Sequence, residues 1–186
     1  QERAGDVGAL ARLFDQLAVF RGGWTVDAAE AVCDADLDTL TSLVDKNLMR
    51  EEGGRFRMLE TVREYAGERL DLRGESADMC RRHAEFYAQL GEAAQPHLRG
   101  PGREWLDRVE AEHDNFRSAL SWSLDSDVEL GFRIAESLLS FWHLRAHEAE
   151  ARRWVERALE ASDNLSSTTR AAGLHVLGAL LFWEGE

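Results

Sequence analysis

The chain has 186 residues, 44% of them hydrophobic, which is enough for a folded core and argues against disorder. Its formal net charge of −13 disfavours nucleic acid as a partner, because such binding depends on Lys and Arg neutralising phosphates. Cys33 and Cys80 stand alone rather than in paired motifs, and no apolar run approaches about 18 residues. We therefore expect a cytoplasmic protein without a disulfide framework, a cysteine zinc site or a membrane span.

The N-terminal part of the chain predicts three helices. Apolar residues recur every three or four positions between 9 and 20, and Gly22 and Gly23 end that helix. Thr25 is placed as the N-cap of a second helix over 26–33. A third helix is predicted over about 37–47, and its inner face carries Leu37, Leu40, Leu43 and Val44.

A β-hairpin and a fourth helix follow. Two short alternating arms, 48–51 and 55–58, flank a loop that contains Gly53 and Gly54, a pattern typical of a hairpin. Helical spacing then returns from Leu59 to Leu70 and ends near Gly74. Three helices, a hairpin and a helix predict a winged-helix domain over residues 1–74, within a mainly all-α chain.

Residues 75–186 predict TPR-like antiparallel helical hairpins. A helix over 77–95 is expected to break at 96–102, and helices over 128–145 and 148–161 form a pair. A loop over 163–167 then leads to a last helix over 169–183. The TPR pattern, which repeats about every 34 residues, fits well at Leu138, Leu139, Trp142, Ala151, Val155 and Ala158. An earlier unit is degenerate, because Glu112 stands where Ala is expected. Both ends are expected to lie inside a longer polypeptide, with the repeat domain truncated at its C-terminus.

No motif for chemistry is visible in the sequence. It lacks the phosphate-binding loop G-x-x-x-x-G-K-[ST], the nucleophile elbow G-x-S-x-G and the zinc motif H-E-x-x-H. His143 and His147 lie four positions apart, but a metal would need Glu148 or Glu150 as a third ligand, and the expected turn separates the two rings. We predict no catalytic, cofactor-binding or metal-binding residue here, and no enzyme activity.

Four motifs resemble those of a family of bacterial regulators. They are LAVFRGGWTVDAAEAVC at 17–33, LVDKNL at 43–48, RFRMLETVREYA at 55–66 and EAEHDNFRSAL at 110–120. This ordered series, which covers nearly the whole chain, resembles the winged-helix plus TPR segment of STAND-type ATPase transcriptional regulators of the LuxR/AfsR-like kind. The resemblance implies a preceding nucleotide-binding domain and a TPR array that serves as sensor or scaffold. ATP or ADP is then a ligand of the full-length protein and not of this segment.

Two candidate sites follow. In related NLR-type switches a Met-His-Asp motif after the wing brings its histidine to the nucleotide phosphate; Met58 and Glu60 fit this motif, whereas Leu59 replaces the histidine. The resemblance therefore implies a switch corner, Met58, Leu59 and Glu60, that packs against the nucleotide-binding domain. The repeats predict a concave face for a protein or peptide partner, lined by Arg133, Glu136, Ser140, His143, His175 and Phe182.

Two other functions stay open at this point. The chain could be a free-standing adaptor that binds a peptide through its TPR-like repeats, in which case no phosphate-binding loop would precede it. The winged helix could also read DNA, although the third helix carries Asp38 and Asp45 where basic side chains would face phosphates. A steep salt dependence of DNA affinity would support that function.

Overall fold

The computed structural model describes residues 2–98, 100, 103–161 and 165–185. Within these residues the chain forms ten α-helices and one small three-stranded sheet, which confirms the mainly all-α class. The chain divides into two compact units, residues 1–86 and 87–186. The predicted winged-helix boundary at 74 lies at the end of a helix, whereas the first unit continues through the next 12 residues to Phe86.

The first unit combines helices with the small sheet. Its helices are α1 (Glu2–Gln16), a 3-10 turn (Leu17–Val19), α2 (Val26–Cys33), α3 (Leu37–Asp45), α4 (Glu60–Arg73) and the beginning of α5 (Ser76–Leu98). Its strands are β1 (Trp24–Thr25), β2 (Arg50–Glu52) and β3 (Arg55–Arg57), in the antiparallel order β1-β3-β2. The predicted hairpin is confirmed as β2 and β3. The pairing of β1 with β3 was not predicted.

Local signals explain where most of these elements begin and end. The side chain of Thr25 accepts a hydrogen bond from the Ala28 amide at 3.3 Å, which confirms it as the N-cap of α2. Asp36 caps α3 in the same way through the Thr39 amide at 2.7 Å. Gly74 ends α4 in the left-handed conformation, at a φ of 71°, as its position predicts.

The inner face of α3 is narrower than predicted. Leu40 and Leu43 are fully buried, and Val44 is half-buried. Leu37 is 54% exposed, so its prediction as an inner residue is wrong. Leu37 is the first residue of the helix, before the chain has turned toward the core. The helix also stops at Asp45, two residues earlier than predicted, because Asn47 adopts a positive φ of 57°.

A buried carboxylate links α1 to α4 in the first unit. Asp15 is completely inaccessible, and its two oxygens accept hydrogen bonds from Arg69 Nε at 2.8 Å and Arg73 Nε at 2.7 Å. The two arginines remain about one-third exposed. A buried charge is tolerated only when it is paired and hydrogen-bonded, which this arrangement provides.

The second unit is helical throughout its described part. After the end of α5 come α6 (Glu104–Ala111), α7 (His113–Ser126), α8 (Val128–Arg145), α9 (Glu148–Ala161) and α10 (Ser167–Glu184). The bounds of α8 and α9 are those predicted. Among the described residues no helix is both long and apolar enough to cross a bilayer.

The predicted helix break at 96–102 starts too early. Pro96 lies inside α5, which continues to Leu98. Proline removes one backbone donor and crowds the preceding turn, and α5 ends two residues beyond it. Pro101 and Gly102 lie outside the described residues, as do 162–164 of the predicted loop before α10.

Helices of the second unit pack closely at two glycines. A Cβ atom on Gly131 of α8 would lie 2.6 Å from Leu124 Cδ2 of α7, and one on Gly173 of α10 would lie 2.6 Å from Phe132 Cζ of α8. The residues that fit the TPR pattern are all buried: Leu138, Leu139, Trp142, Ala151, Val155 and Ala158. Their burial agrees with a packing role, and the TPR assignment itself stays a prediction.

Candidate functional site

The predicted switch corner connects β3 to α4. Leu59 is the N-cap residue of α4, with φ −64° and ψ 145°, and it makes no side-chain capping hydrogen bond. Its side chain is 54% exposed, Met58 is half-buried and Glu60 is exposed. The corner therefore presents an apolar and an acidic side chain beside the N-terminus of a 14-residue helix.

Glu60 is held between two arginines from different elements. Its Oε1 accepts a hydrogen bond from Arg21 Nη1 at 3.3 Å, and its Oε2 accepts one from Arg63 Nε at 3.0 Å. A second Arg63 nitrogen contacts Oε1. The hydrogen bonds from Arg63, with the nearby charges of Arg63 and Arg21, lower the pKa of Glu60. Burial, and after it the charge of Arg63, lowers the pKa of Arg21.

A basic cleft of about 430 Å³ opens at this corner, and all of its lining residues belong to the first unit. Four arginines contribute to it, against two glutamates, and the corner residues line its edge. This lining, which we call the basic cleft, comprises Phe20, Gly22, Gly23, Trp24, Arg50, Glu52, Arg55, Arg57, Met58, Leu59, Glu60 and Arg63.

Gly23 and Trp24 are two closely packed residues in the lining of the basic cleft. Gly23 has a φ of +98°, and a Cβ there would lie 2.8 Å from Phe56 O and 2.8 Å from Arg57 Cγ, so only glycine fits. Its carbonyl accepts a hydrogen bond from Arg55 at 3.1 Å. The Trp24 ring stacks on Phe20 at 5.2 Å, and its buried Nε1 has no hydrogen-bond partner among the described residues.

The sequence pointed to the corner but not to the whole cleft. The resemblance singled out Met58, Leu59 and Glu60, which the structure places together. The arginines come from β2, β3 and α4 and converge only in the folded unit. In the sequence, Arg50, Arg55 and Arg57 lie on the arms of the predicted hairpin, and the alternation of Arg55 and Arg57 puts both side chains on one face of a strand.

The second unit contains a larger cleft of about 800 Å³. Two of the residues that line it are His143 of α8 and Trp183 of α10, whose rings stack with centroids 4.5 Å apart. The His143 Nδ1 atom lies 3.1 Å from Glu148 Oε1. The described residues that line the cleft are Leu98, Gly100, Arg103, Leu106, Asp107, Ser140, His143, Leu144, Arg145 and Trp183.

The structure brings only part of the predicted concave face to this cleft. Ser140, which is buried, and His143 line it. Arg133 and Glu136 are exposed one turn apart on α8, and Arg133 forms an ion pair with Glu92 at 2.7 Å. The remaining two predicted residues, His175 and the 77%-exposed Phe182, lie on α10 and do not line the cleft.

A buried polar cluster stands at the junction of α6 and α7. Glu112 is 4% exposed and accepts hydrogen bonds from the Tyr87 hydroxyl at 2.8 Å and from Asn115 Nδ2 at 2.9 Å. The next residue, His113, is also buried, and its ring packs edge-on against Phe141. Burial, followed by the charge of Arg117, lowers the pKa of His113 from its usual value. The fourth motif of the sequence therefore has a structural role in the second unit.

The comparisons with known proteins fit this picture at the level of protein class. Three proteins, one from Mycobacterium bovis and two from strains of Mycobacterium tuberculosis, share 38% identity with the chain over 160 residues. Each carries the name "Putative HTH-type transcriptional regulator". The alignment covers 80% of this chain and 18% of each relative, so the chain spans less than a fifth of their length. No protein-family model matches the chain, and no solved structure matches it. The similarity agrees with a regulatory role in transcription.

Proposed function

We propose that this chain is a non-catalytic regulatory segment of a larger transcriptional regulator, and that its basic cleft contacts a nucleotide-binding domain of the same polypeptide. The names of the mycobacterial relatives support the regulatory role. Their greater length leaves room for further domains. The resemblance of the four sequence motifs to STAND-type regulators is the reason for choosing a nucleotide-binding domain as the partner.

One observation carries the proposal: a cleft with four arginines occurs in a chain whose net charge is −13. The local positive potential that these side chains create attracts an anionic partner despite the overall charge. The N-terminus of α4 opens at the same corner, and its unpaired amides add partial positive charge. An acidic surface or a phosphate on a neighbouring domain has the matching chemistry.

Glu60 sets how much positive charge this corner presents to a partner. It neutralises part of the charge of Arg21 and Arg63 and stands in the first turn of α4, where a carboxylate is favourable. A partner that brings its own anion competes with Glu60 for these arginines. The balance between the two arrangements is what would couple the cleft to the nucleotide state of the neighbouring domain.

The test compares ADP and ATP affinities of the full-length protein with and without Glu60→Ala. An exposed ion pair contributes about 0.2–1 kcal/mol, so loss of one such pair should change the ratio of the two affinities by roughly 1.4- to fivefold. The matched control is Glu68→Ala, an exposed glutamate two turns further along α4. If both variants keep the wild-type ratio, the cleft does not contact the nucleotide-binding domain in a state-dependent way.

The helical unit is proposed to bind a protein or peptide, with Ser140 and His143 at the cleft and the other predicted residues beside it. The cleft's mixed lining, with leucines, arginines and the His143–Trp183 stack, suits a peptide that carries both apolar and acidic groups. His143→Ala and Glu136→Arg should each weaken capture of a partner, whereas Glu160→Arg on α9 should not. Equal capture by all three variants would show that this surface does not bind the partner.

The free-standing adaptor and the DNA-binding function remain weaker proposals. A free-standing adaptor would also bind a protein or peptide through the helical unit. It predicts that Glu60→Ala has no effect on ADP or ATP affinity. The charges on α3 oppose DNA contact, because Asp38 and Asp45 are exposed on that helix.

A further inference from the structure

In the second unit His147 meets Glu110 and His113, from which it is distant in sequence. Glu110 lies in the last turn of α6, His113 is the first residue of α7, and His147 lies in the connection between α8 and α9. One ligand atom from each side chain lies within 4.8 Å of the other two. The imidazole centroids of His113 and His147 are 4.6 Å apart. From this geometry we propose that Glu110, His113 and His147 form a binding site for a divalent transition metal, Zn²⁺ being the best match.

The two imidazoles are held in place by their surroundings. The His113 ring packs edge-on against Phe141 at 5.1 Å, and the His147 ring lies 5.8 Å from the same phenylalanine. The backbone of His147 is fixed as well, because its amide donates to Trp142 O at 2.8 Å after Ala146 adopts a φ of 58°. Metal ligands whose orientation is already fixed lose little conformational entropy on binding.

The charges around the cluster identify Glu110 as the third ligand. Glu150 is another carboxylate near His113, but both of its oxygens accept hydrogen bonds from Arg117 at 2.6 Å. Glu110 is exposed, and Arg145 Nε lies 3.1 Å from its Oε2 without the alignment of a hydrogen bond. Arg145 also donates to Asp107 at 2.7 Å, so it keeps a carboxylate partner when Glu110 turns to a metal.

The donor set defines the class of metal. Two imidazole nitrogens and one carboxylate oxygen suit Zn²⁺ and its neighbours Co²⁺ and Ni²⁺, whereas Mg²⁺ and Ca²⁺ prefer oxygen ligands. Zinc–ligand distances of about 2.0–2.2 Å place ligand atoms about 3.4 Å apart in a tetrahedron. The cluster must therefore close slightly, and the exposed Glu110 side chain is free to make that movement. Water would occupy the fourth position.

This site was not visible in the sequence. By spacing, His143 and His147 could form a pair with Glu148 or Glu150 as a third ligand, but the expected turn between them led to the prediction of no metal-binding residue. In the structure the His143 ring instead stacks on Trp183, and His147 turns to His113. The site lies wholly in the second unit and does not depend on the basic cleft, so either proposal can fail while the other stands.

The test is titration of the untagged 186-residue chain with ZnCl2 in chelator-free buffer, followed by calorimetry and thermal unfolding. We expect one saturable site for Zn²⁺, a rise in Tm with zinc and no such rise with MgCl2. Glu110→Gln and His147→Gln should each weaken zinc binding at least about tenfold, since even outer-shell changes at metal sites cost that much. Both side chains are accessible, and the unliganded Tm of each variant checks that it still folds.

The controls are His175→Gln and Glu104→Gln, which change an exposed histidine and an exposed glutamate outside the cluster. Both should bind zinc as the wild type does. Co²⁺ provides a second readout, because its visible absorption reports nitrogen and oxygen ligands directly and should weaken in the two cluster variants only. The proposal is overturned if zinc binding is absent, or if the cluster variants and the controls bind zinc equally.

Discussion

The buried Glu112 gives the sharpest test of how the second unit is held together. Its carboxylate accepts hydrogen bonds from Tyr87 of α5 and from Asn115 of α7, so it joins three helical segments. Replacing Glu112 with Ala removes both bonds and leaves a space inside the unit. Replacing it with Gln keeps an oxygen that can accept from both donors. The two substitutions therefore separate the hydrogen bonds from the negative charge.

The magnitude follows from the kind of bond that is lost. Hydrogen bonds to a charged group contribute about 1.5–3 kcal/mol each, and the cost of burying the carboxylate offsets part of this. We expect Glu112→Ala to lower the free energy of unfolding of the second unit by about 2–4 kcal/mol. Glu112→Gln should lower it by only about 1 kcal/mol, since a neutral acceptor makes weaker bonds.

Amide hydrogen exchange read by mass spectrometry suits this measurement, because it reports each unit separately. Peptides from α6 to α8 should lose protection in Glu112→Ala, while peptides from α2 to α4 serve as an internal reference. Glu104→Ala, an exposed glutamate at the start of α6, is the matched control. The reasoning is refuted if Ala and Gln variants exchange alike, or if Glu112→Ala stays within about 0.5 kcal/mol of the control.

Three further predictions concern the first unit. Asp15→Asn should lower its stability by about 1–3 kcal/mol in urea unfolding, because the bridge to Arg69 and Arg73 is weakened; an unchanged midpoint would show that the bridge contributes nothing net. Burial raises the pKa of Cys33 to about 12. The stability that the buried neutral thiol contributes is therefore complete below pH 9 and is lost as pH rises toward 12. Cys33→Ala should flatten this alkaline loss of stability, by at most about 4 kcal/mol, and equal pH slopes would contradict the assignment. Gly23→Ala should cost about 2 kcal/mol or more, whereas Gly53→Ala, at φ +59° in open space, should cost only about 1–2 kcal/mol; equal losses in thermal melts would mean that the close contact at Gly23 relaxes freely.

The elements that could be predicted are those that depend on neighbours in the chain. The N-cap of α2 at Thr25, the left-handed end of α4 at Gly74 and the bounds of α8 and α9 all follow from residues within one turn of each other. The hairpin was predicted for the same reason, because Gly53 and Gly54 accept the positive φ values of a two-residue turn. The switch corner belongs with these, since its three residues are consecutive.

The sequence-based predictions were wrong where tertiary packing overrides a local preference of the chain. Pro96 was expected to end a helix, yet the chain tolerates it in the last turn of α5. Glu112 was read as a defect in a repeat, whereas Tyr87 and Asn115 give its carboxylate a buried role. Strand β1 has only two residues and exists because β3 lies beside it.

The amino-acid sequence by itself determined the helices, their caps and the charge of this protein, because these depend on short-range spacing and composition. Only the tertiary structure decided which distant side chains meet. It brings arginines of β2, β3 and α4 around one cleft, and it places His113 beside His147. No local pattern carries such information, since the free energy that selects these neighbours comes from burying the faces of helices far apart in the chain.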